Sequence, residues 1–279
     1  MNYNKRLLYY KFNLDWDKVE RFVTDNGKYD FCMIEFGFRY PNDIFQRKIF
    51  FWNIDALKKF CIEKNPCSVE LGITCPNPAK FVNPLKVRKH VTHNKNDFIW
   101  KRPLIFDWDI EHHLRREWNK CGCSEKEMCH LCWDAFGEPA RVSLERALTH
   151  WIGIKEFTCV FSGGRGFHLW VLDSNLRSLS MDQRDMIVEK LSNPIENSPL
   201  YEDLHSLLEP YYEKYHKDTP YGVMSLLYTL DKAVTTGANH MSGLPWFPHA
   251  RTGRLRVELN GKNPFLYCLS RIVISTLNT

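Results

Sequence analysis

The chain has 279 residues, 44% hydrophobic and 25% charged, a length and composition that suit one large domain or two intimate ones and exclude a disordered, collagenous or low-complexity protein. No apolar run approaches the ~18 residues that a membrane span requires. The formal net charge is +5, and its distribution along the chain says more than its sum.

The opening stretch, MNYNKRLLYYKFNLD, has neither the apolar core nor the small-residue cleavage site of a secretory signal, so the expectation is a soluble, intracellular protein. Asp15 to Val23 has helical spacing and stops at Gly27. Phe31–Phe38 and Lys48–Trp52 read as strands, Ile54–Glu63 as a helix and Ser68–Thr74 as an alternating strand. Between Lys86 and Arg102 stand six basic residues, Lys86, Arg88, Lys89, Lys95, Lys101 and Arg102, against the single acid Asp97. This run is either a solvated loop or a contact for a phosphate backbone.

Leu104–Glu111 reads as a strand. Phe106, Trp108 and Ile110 would face a core, while Asp107 and Asp109 share the other face with Cα atoms about 6.5–7 Å apart. Carboxylates held so close repel one another and invite a proton or a divalent cation such as Mg²⁺ or Mn²⁺. A wet strand face with solvated acids is the alternative.

Next come Cys121, Cys123, Cys129 and Cys132, spaced x1, x5 and x2. Four thiolates in this span close a tetrahedral zinc site with no open position, so the metal would be structural. His130 is an alternative ligand. A redox Cys-x-x-Cys lacks the strand-then-helix context here. The other cysteines, Cys32, Cys61, Cys67, Cys75, Cys159 and Cys268, are scattered; in an intracellular chain they argue against a disulfide framework.

Pro139 could open a helix to about Trp151. Phe157–Phe161 and Phe167–Leu172 are strands joined by Ser162-Gly163-Gly164-Arg165-Gly166. The glycines let a backbone approach a ligand, and Ser162, Arg165 and His168 add polar donors suited to phosphates. A flexible hairpin, with His168 as a satisfied core residue, is the alternative. No Walker lysine pattern is present. Ser180 and Gln183 form a capping box before a helix to about Leu191, and Tyr201–His216 is a further amphipathic helix. Ser225–Leu230 and Leu255–Leu259 read as strands. Asp231 follows the first of these, and His249, Arg251 and Arg254 flank a Thr-Gly turn in a Pro-rich loop that could serve phosphates. From Leu104 on, the order strand, helix, strand, turn, strand, helix implies an α+β unit with a mostly antiparallel sheet and helices on one face. The earlier strands either extend it or form a companion sheet.

Together F-D-W-D, the four-cysteine segment, F-S-G-G-R-G-F-H-L-W-V, and L-D-K-A-V-T-T-G-A-N-H through P-H-A-R-T-G-R resemble, in order and interval, the small catalytic subunit of eukaryotic and archaeal DNA primases, of the archaeo-eukaryotic primase superfamily. N-P-C-S-V-E-L-G and I-E-F-G-F look like its upstream segments, and the likeness runs from about Phe31 to Phe265. It implies one catalytic domain over 1–279 with an RRM-like antiparallel sheet, helices packed on it, a zinc-binding insert at 119–134 and a short helical insertion at about 192–225. By the same resemblance, Asp107, Asp109 and Asp231 would carry two Mg²⁺ or Mn²⁺ ions. Ser162, Arg165, His168 and His249 would hold the triphosphate, and Glu70 would lie near the ribose hydroxyls. The cysteines would hold one Zn²⁺. The basic run would meet the template.

The implied activity is de novo synthesis of short RNA primers on single-stranded DNA from NTPs, with dNTPs as an open choice. The implied partners are a large primase subunit and a replicative polymerase or helicase, with no membrane; the compartment would be the nucleus in a eukaryotic cell, otherwise the cytoplasm or a viral replication site. A primer-extending or repair polymerase and a non-catalytic zinc-containing nucleic-acid-binding module are the rival readings. Three departures remove positive charge: Gly164 and Gly243 stand where relatives carry a second arginine and a lysine, and Ile34 replaces an arginine. Arg251 and Arg254 are candidates to compensate.

Overall fold

The computed structural model describes residues 2–75, 101–123, 127–227, 230–237, 240–259 and 264. The N-terminal part contains helices α1 (Tyr3–Leu8) and α2 (Trp16–Val23), strands β1 (Ile34–Arg39) and β2 (Phe45–Ile49), helix α3 (Ile54–Lys64) and strand β3 (Ser68–Thr74). Asp15 caps α2 by accepting from the Lys18 amide, and Asn53 caps α3 by accepting from the Ala56 amide, each satisfying an orphan donor of a first turn. Strand β4 (Ile105–Asp109) leads into α4 (His112–Trp118). A single turn over His130–Cys132 then runs through a wide π turn, Trp133–Gly137, into α5 (Glu138–Arg146). Strands β5 (Phe157–Phe161) and β6 (Gly166–Val171) precede α6 (Met181–Ser192), α7 (Pro199–Tyr215), the short α8 (Lys232–Thr236), β7 (Ser242–Gly243) and β8 (Val257–Glu258).

The fold is mixed α/β, built on two antiparallel sheets. One runs β2-β1-β3-β7 and the other β4-β6-β5-β8. The early strands therefore form a companion sheet. The chain crosses from one sheet to the other between β7 and β8, so the segment 244–256 belongs to both. Burial follows the alternation: Phe106, Trp108 and Ile110 are buried, and the Trp108 ring stacks on Phe167 of the paired strand at 5.2 Å. The capping box at α6 is present as its sequence specifies, with Ser180 and Gln183 satisfying each other's backbone amides.

Some expectations shift. The first three residues of Phe31–Phe38 form a 3-10 turn, and the strand expected over Lys48–Trp52 lies earlier, at Phe45–Ile49. Lys48 sits at φ +62°, and the β1–β2 register slips between Phe36 and Phe38. The resulting bulge ends the strand sooner than its composition suggests. Ser225–Leu230 is not a strand in its described part. Val223–Leu226 is a 3-10 turn, in which the Ser225 hydroxyl donates to the Gly222 carbonyl at 2.7 Å. That local bond competes with a ladder; Leu230 alone bridges to Trp108. No helix among the described residues is long and apolar enough to cross a membrane.

Candidate active site

Asp107 and Asp109 lie on one face of β4, opposite His168 and Gly166 of β6. The Asp107 side chain retains 21% of its exposure, and His168 Nε2 lies 3.3 Å from its Oδ1. That Oδ1 is buried and accepts no hydrogen bond. Burial, followed by the neighbouring charges of Asp109 and Asp231, pushes the Asp107 carboxyl well above its usual range; Arg165 and Arg256 oppose the shift. Asp109 accepts a charge-assisted bond from Arg165 Nη2 at 2.8 Å. A carboxylate oxygen without a donor, beside two further acids, is the donor set that a divalent cation suits.

Asp231 reaches this face through its own helix. It caps α8, accepting from the Ala233 amide at 2.9 Å. Its backbone amide donates to the Asp107 carbonyl at 3.0 Å. The Thr235 hydroxyl donates to the Ile105 carbonyl at 2.8 Å, and Arg102 Nη1 donates to the Gly237 carbonyl. These bonds lay α8 along β4 and bring a third acid beside a pair far away in sequence.

Arg102 therefore leaves the set of template contacts. It is 1% exposed, and burial, with Arg184 nearby, lowers its pKa to about 9. Its place is inside, fixing the helix that carries Asp231. The Lys101 amine lies over the Tyr29 ring at 5.3 Å. Lys86, Arg88, Lys89 and Lys95 fall outside the described residues.

The loop between β5 and β6 lies at the same end of the sheet. Gly163 has φ +80°, a conformation that favours glycine. At Gly166 the reason for glycine is contact: a Cβ there would sit 1.7 Å from the Trp108 carbonyl oxygen. Only a bare backbone lets β6 pair this closely with the strand carrying the acids. Ser162 is buried and its hydroxyl accepts from the amides of Gly164 at 3.2 Å and Gly166 at 3.3 Å. Its observed task is thus to shape the loop. Burial, then the positive charge of Arg256, lowers the His168 pKa to about 3, with His249 and His240 adding to the shift. Burial and surrounding arginines, Arg256 first, likewise lower His249 to about 3. Both rings are neutral near pH 7.

His249 opens a hairpin turn in which the Gly253 amide donates to the His249 carbonyl at 2.9 Å. The Thr252 hydroxyl donates to the Gly163 carbonyl at 2.5 Å. This turn packs against the glycine loop; a Cβ on Gly164 would lie 3.3 Å from His249 Nε2. Glu70, on β3, is buried and accepts from Arg39 Nε. It pairs in register with Gly243 of β7. Ile34 is buried. Arg254 donates to the Met128 carbonyl at 2.8 Å and the Glu127 carboxylate at 3.0 Å, so it braces the cysteine segment. Arg256, which the sequence reading passed over, lies at the Gly243 position. The readable signal was Arg254, Arg256 and Glu258 alternating with apolar Leu255, Val257 and Leu259.

The sulfur atoms of Cys121, Cys123, Cys129 and Cys132 lie within 4.8 Å of one another. Cys121 Sγ stands 3.3 Å from Cys123 Sγ and 3.0 Å from Cys132 Sγ. A tetrahedral zinc with ~2.3 Å bonds needs sulfurs about 3.8 Å apart, so a small adjustment of the thiols closes the site. Burial and the neighbouring thiols raise the Cys132 pKa, which a bound cation would reverse. Arg115 Nη1 at 3.8 Å from Cys123 Sγ adds positive charge suited to a four-thiolate centre. His130 is outside this cluster. The cluster could hold a metal such as zinc, and it adjoins the glycine loop: the Met128 amide donates to the Gly164 carbonyl at 3.1 Å.

Comparison with known proteins gives this arrangement its context. The family model for the DNA primase small subunit matches residues 106–260, from the strand of paired acids to the end of the second sheet. The chain belongs to the DNA primase small-subunit family. It is 30% identical over 216 residues to the DNA primase small subunit of Schizosaccharomyces pombe, covering 76% of this chain and 44% of the relative. It is 26% identical over 183 residues to that of Saccharomyces cerevisiae, covering 65% and 42%. With the archaeal small subunit PriS of Pyrobaculum islandicum it shares 27% identity over 188 residues, covering 61% and 51%. The chain thus spans less than half the length of the yeast relatives it matches and about half that of the archaeal one. The matched residues of this chain include Asp107, Asp109 and Asp231, the cysteine cluster, the glycine loop and the His249 hairpin.

Proposed function

We propose that this chain is a nucleotidyltransferase that starts primers on single-stranded DNA by joining NTPs. The observation that supports this reading is the docking of the helix capped by Asp231 along the strand that carries Asp107 and Asp109, beside a glycine loop that presents Arg165, with the neutral rings of His168 and His249 adjoining. The orphaned Asp107 Oδ1 and the mutual repulsion of the acids fit two Mg²⁺ or Mn²⁺ ions held by these residues. Such ions supply Lewis-acid stabilisation of the attacking 3′-oxygen and the leaving pyrophosphate.

The chain's own residues bind and align. Arg165 is placed to take phosphate oxygens while its Nη2 holds Asp109. Ser162 keeps the loop in one shape by holding two of its amides, and Thr252 ties the His249 turn to the same loop. His168 Nε2 lies 3.3 Å from Asp107 Oδ1 without bonding it, which leaves that oxygen for a cation. His249 Nε2 lies against Gly164 and offers a neutral contact to the triphosphate. Glu70, beside the β7 backbone, is the proposed neighbour of the ribose. Fixing both nucleotides in line is most of what such a reaction asks of a protein.

The cysteine cluster, filled with one Zn²⁺, would serve as scaffold. Single-stranded DNA is the proposed template, met by Lys86, Arg88, Lys89, Lys95 and Lys101. A large primase subunit and a replicative polymerase or helicase are the proposed protein partners, with the nucleus as the compartment in a eukaryotic cell.

The test is incorporation of labelled NTPs and dNTPs on unprimed single-stranded DNA with Mg²⁺ or Mn²⁺. The wild type should release pyrophosphate and make short products, and Asp109→Asn should lose at least about a hundredfold in rate. Binding of DNA without pyrophosphate release would contradict the reading and favour a non-catalytic module. Extension of primed templates alone would point to a primer-extending polymerase.

A further inference from the structure

Arg256 leaves the hairpin just before β8, and its side chain runs back towards the other sheet. It is 4% exposed. Nη1 donates to the Ser68 hydroxyl at 3.0 Å and to the Pro248 carbonyl at 2.8 Å. Nε is buried with no hydrogen-bond partner. A Cβ built on Gly243 would lie 2.2 Å from Nε, 2.3 Å from Cζ and 2.4 Å from Nη2. The guanidinium thus fills the room that a side chain at position 243 would need.

Acids and histidines of the candidate site surround this charge. Glu70 and Asp107 act favourably on it, and it acts on His168 and His249. Neither acid neutralises it in a closed pair: Glu70 accepts from Arg39, and Asp107 faces His168. A buried cation with an unused donor is costly to keep, and a clamp between sheets would need only the Nη1 bonds. An anion arriving at the glycine loop would give the remaining charge its counterpart.

We propose that Arg256 is the fixed cation of the nucleotide pocket, reaching through the space left by Gly243 to draw the triphosphate towards Arg165 and His249. The proposal rests on the nucleotidyl-transfer reading and assigns a nucleotide-positioning role to a side chain from the other end of the hairpin. Because residues 243 and 256 compete for one space, a cation delivered from either position should serve.

The experiment is calorimetric titration of Mg²⁺–ATP into the wild type, Arg256→Met, Gly243→Lys and the double variant Gly243→Lys with Arg256→Ser, with KM and kcat for NTP alongside. Arg256→Met should weaken binding about tenfold or more, the scale of one charged contact, and raise KM more than it lowers kcat. Gly243→Lys alone should also bind poorly, because its side chain meets the guanidinium. The double variant should recover to within about threefold of the wild type. A residue serving only as a clamp predicts the opposite, with the double variant no better than Arg256→Met. That result, or a folded Arg256→Met binding Mg²⁺–ATP as tightly as the wild type, overturns the proposal while leaving the broader reading intact. If Arg256→Met does not fold, the double variant decides. A wild type that binds no Mg²⁺–ATP overturns both.

Discussion

Asp107 is held where an acid is least comfortable. Its Oδ1 has no donor, and burial together with Asp109 and Asp231 raises its pKa. Above that raised value the metal-free fold carries a charge the unfolded chain would keep in water, so ionisation of Asp107 costs stability; the cost shrinks as the pH falls below the raised pKa and is gone once the pH is below the ordinary carboxyl range of the unfolded chain. Such local destabilisation is common where function requires a charge that the fold does not. In EDTA at pH 7, Asp107→Asn should therefore melt about 2–4 °C above the wild type, although it should make no primers. Added Mn²⁺ should raise the wild-type melting temperature and leave the variant unmoved. A variant that melts below the wild type in EDTA would show that the carboxylate is satisfied by the fold alone. Single residues also show where sequence reading stops. The pairing of Asp107 with Asp109 is legible because strand alternation is local. The role of Arg256 is not, since it depends on a glycine thirteen positions away in another sheet. Arg102 was misplaced for a related reason: its charge suggested the surface, whereas burial against the Gly237 carbonyl depends on tertiary packing that no run of basic residues reports.

At the scale of elements, the strands with clean alternation or strong composition, such as Ser68–Thr74 and Phe157–Phe161, are present with the expected bounds. Ser225–Leu230 misled because apolar composition outweighed a hydroxyl that turns the chain locally. The cysteine turn and the glycine loop read as separate motifs in the sequence, yet they touch. The Met128 amide holds the Gly164 carbonyl, and Arg254 binds both Met128 and Glu127 while belonging to the His249 hairpin. With the proposed zinc in the cluster, its loss should therefore loosen the glycine loop as well as the fold. Stripping zinc with a chelator should lower the melting temperature and raise the KM for NTP severalfold, with partial recovery on adding Zn²⁺. A lowered melting temperature with unchanged KM would confine the cluster to stability. Freshly purified protein without zinc would remove the assignment.

At the scale of the molecule, the two sheets are joined through the segment between β7 and β8, and the candidate site gathers residues from both. β4 supplies Asp107 and Asp109, β6 supplies His168, and the glycine loop between β5 and β6 supplies Arg165; β3 supplies Glu70; the connecting hairpin supplies His249 and Arg256. Asp231 arrives on α8, docked along β4. One strand-borne pair of acids would be an ordinary wet sheet face. The proposed cation site depends on the third acid, brought from more than a hundred residues away. Electron paramagnetic resonance of Mn²⁺ titrated with ATP into the wild type and into Asp231→Asn tests that convergence most directly. The wild type should bind Mn²⁺ in the presence of ATP, and Asp231→Asn should bind it at least about tenfold more weakly, as Asp107→Asn and Asp109→Asn should. An Asp231→Asn protein that binds Mn²⁺ and ATP as the wild type does would contradict the shared cation site.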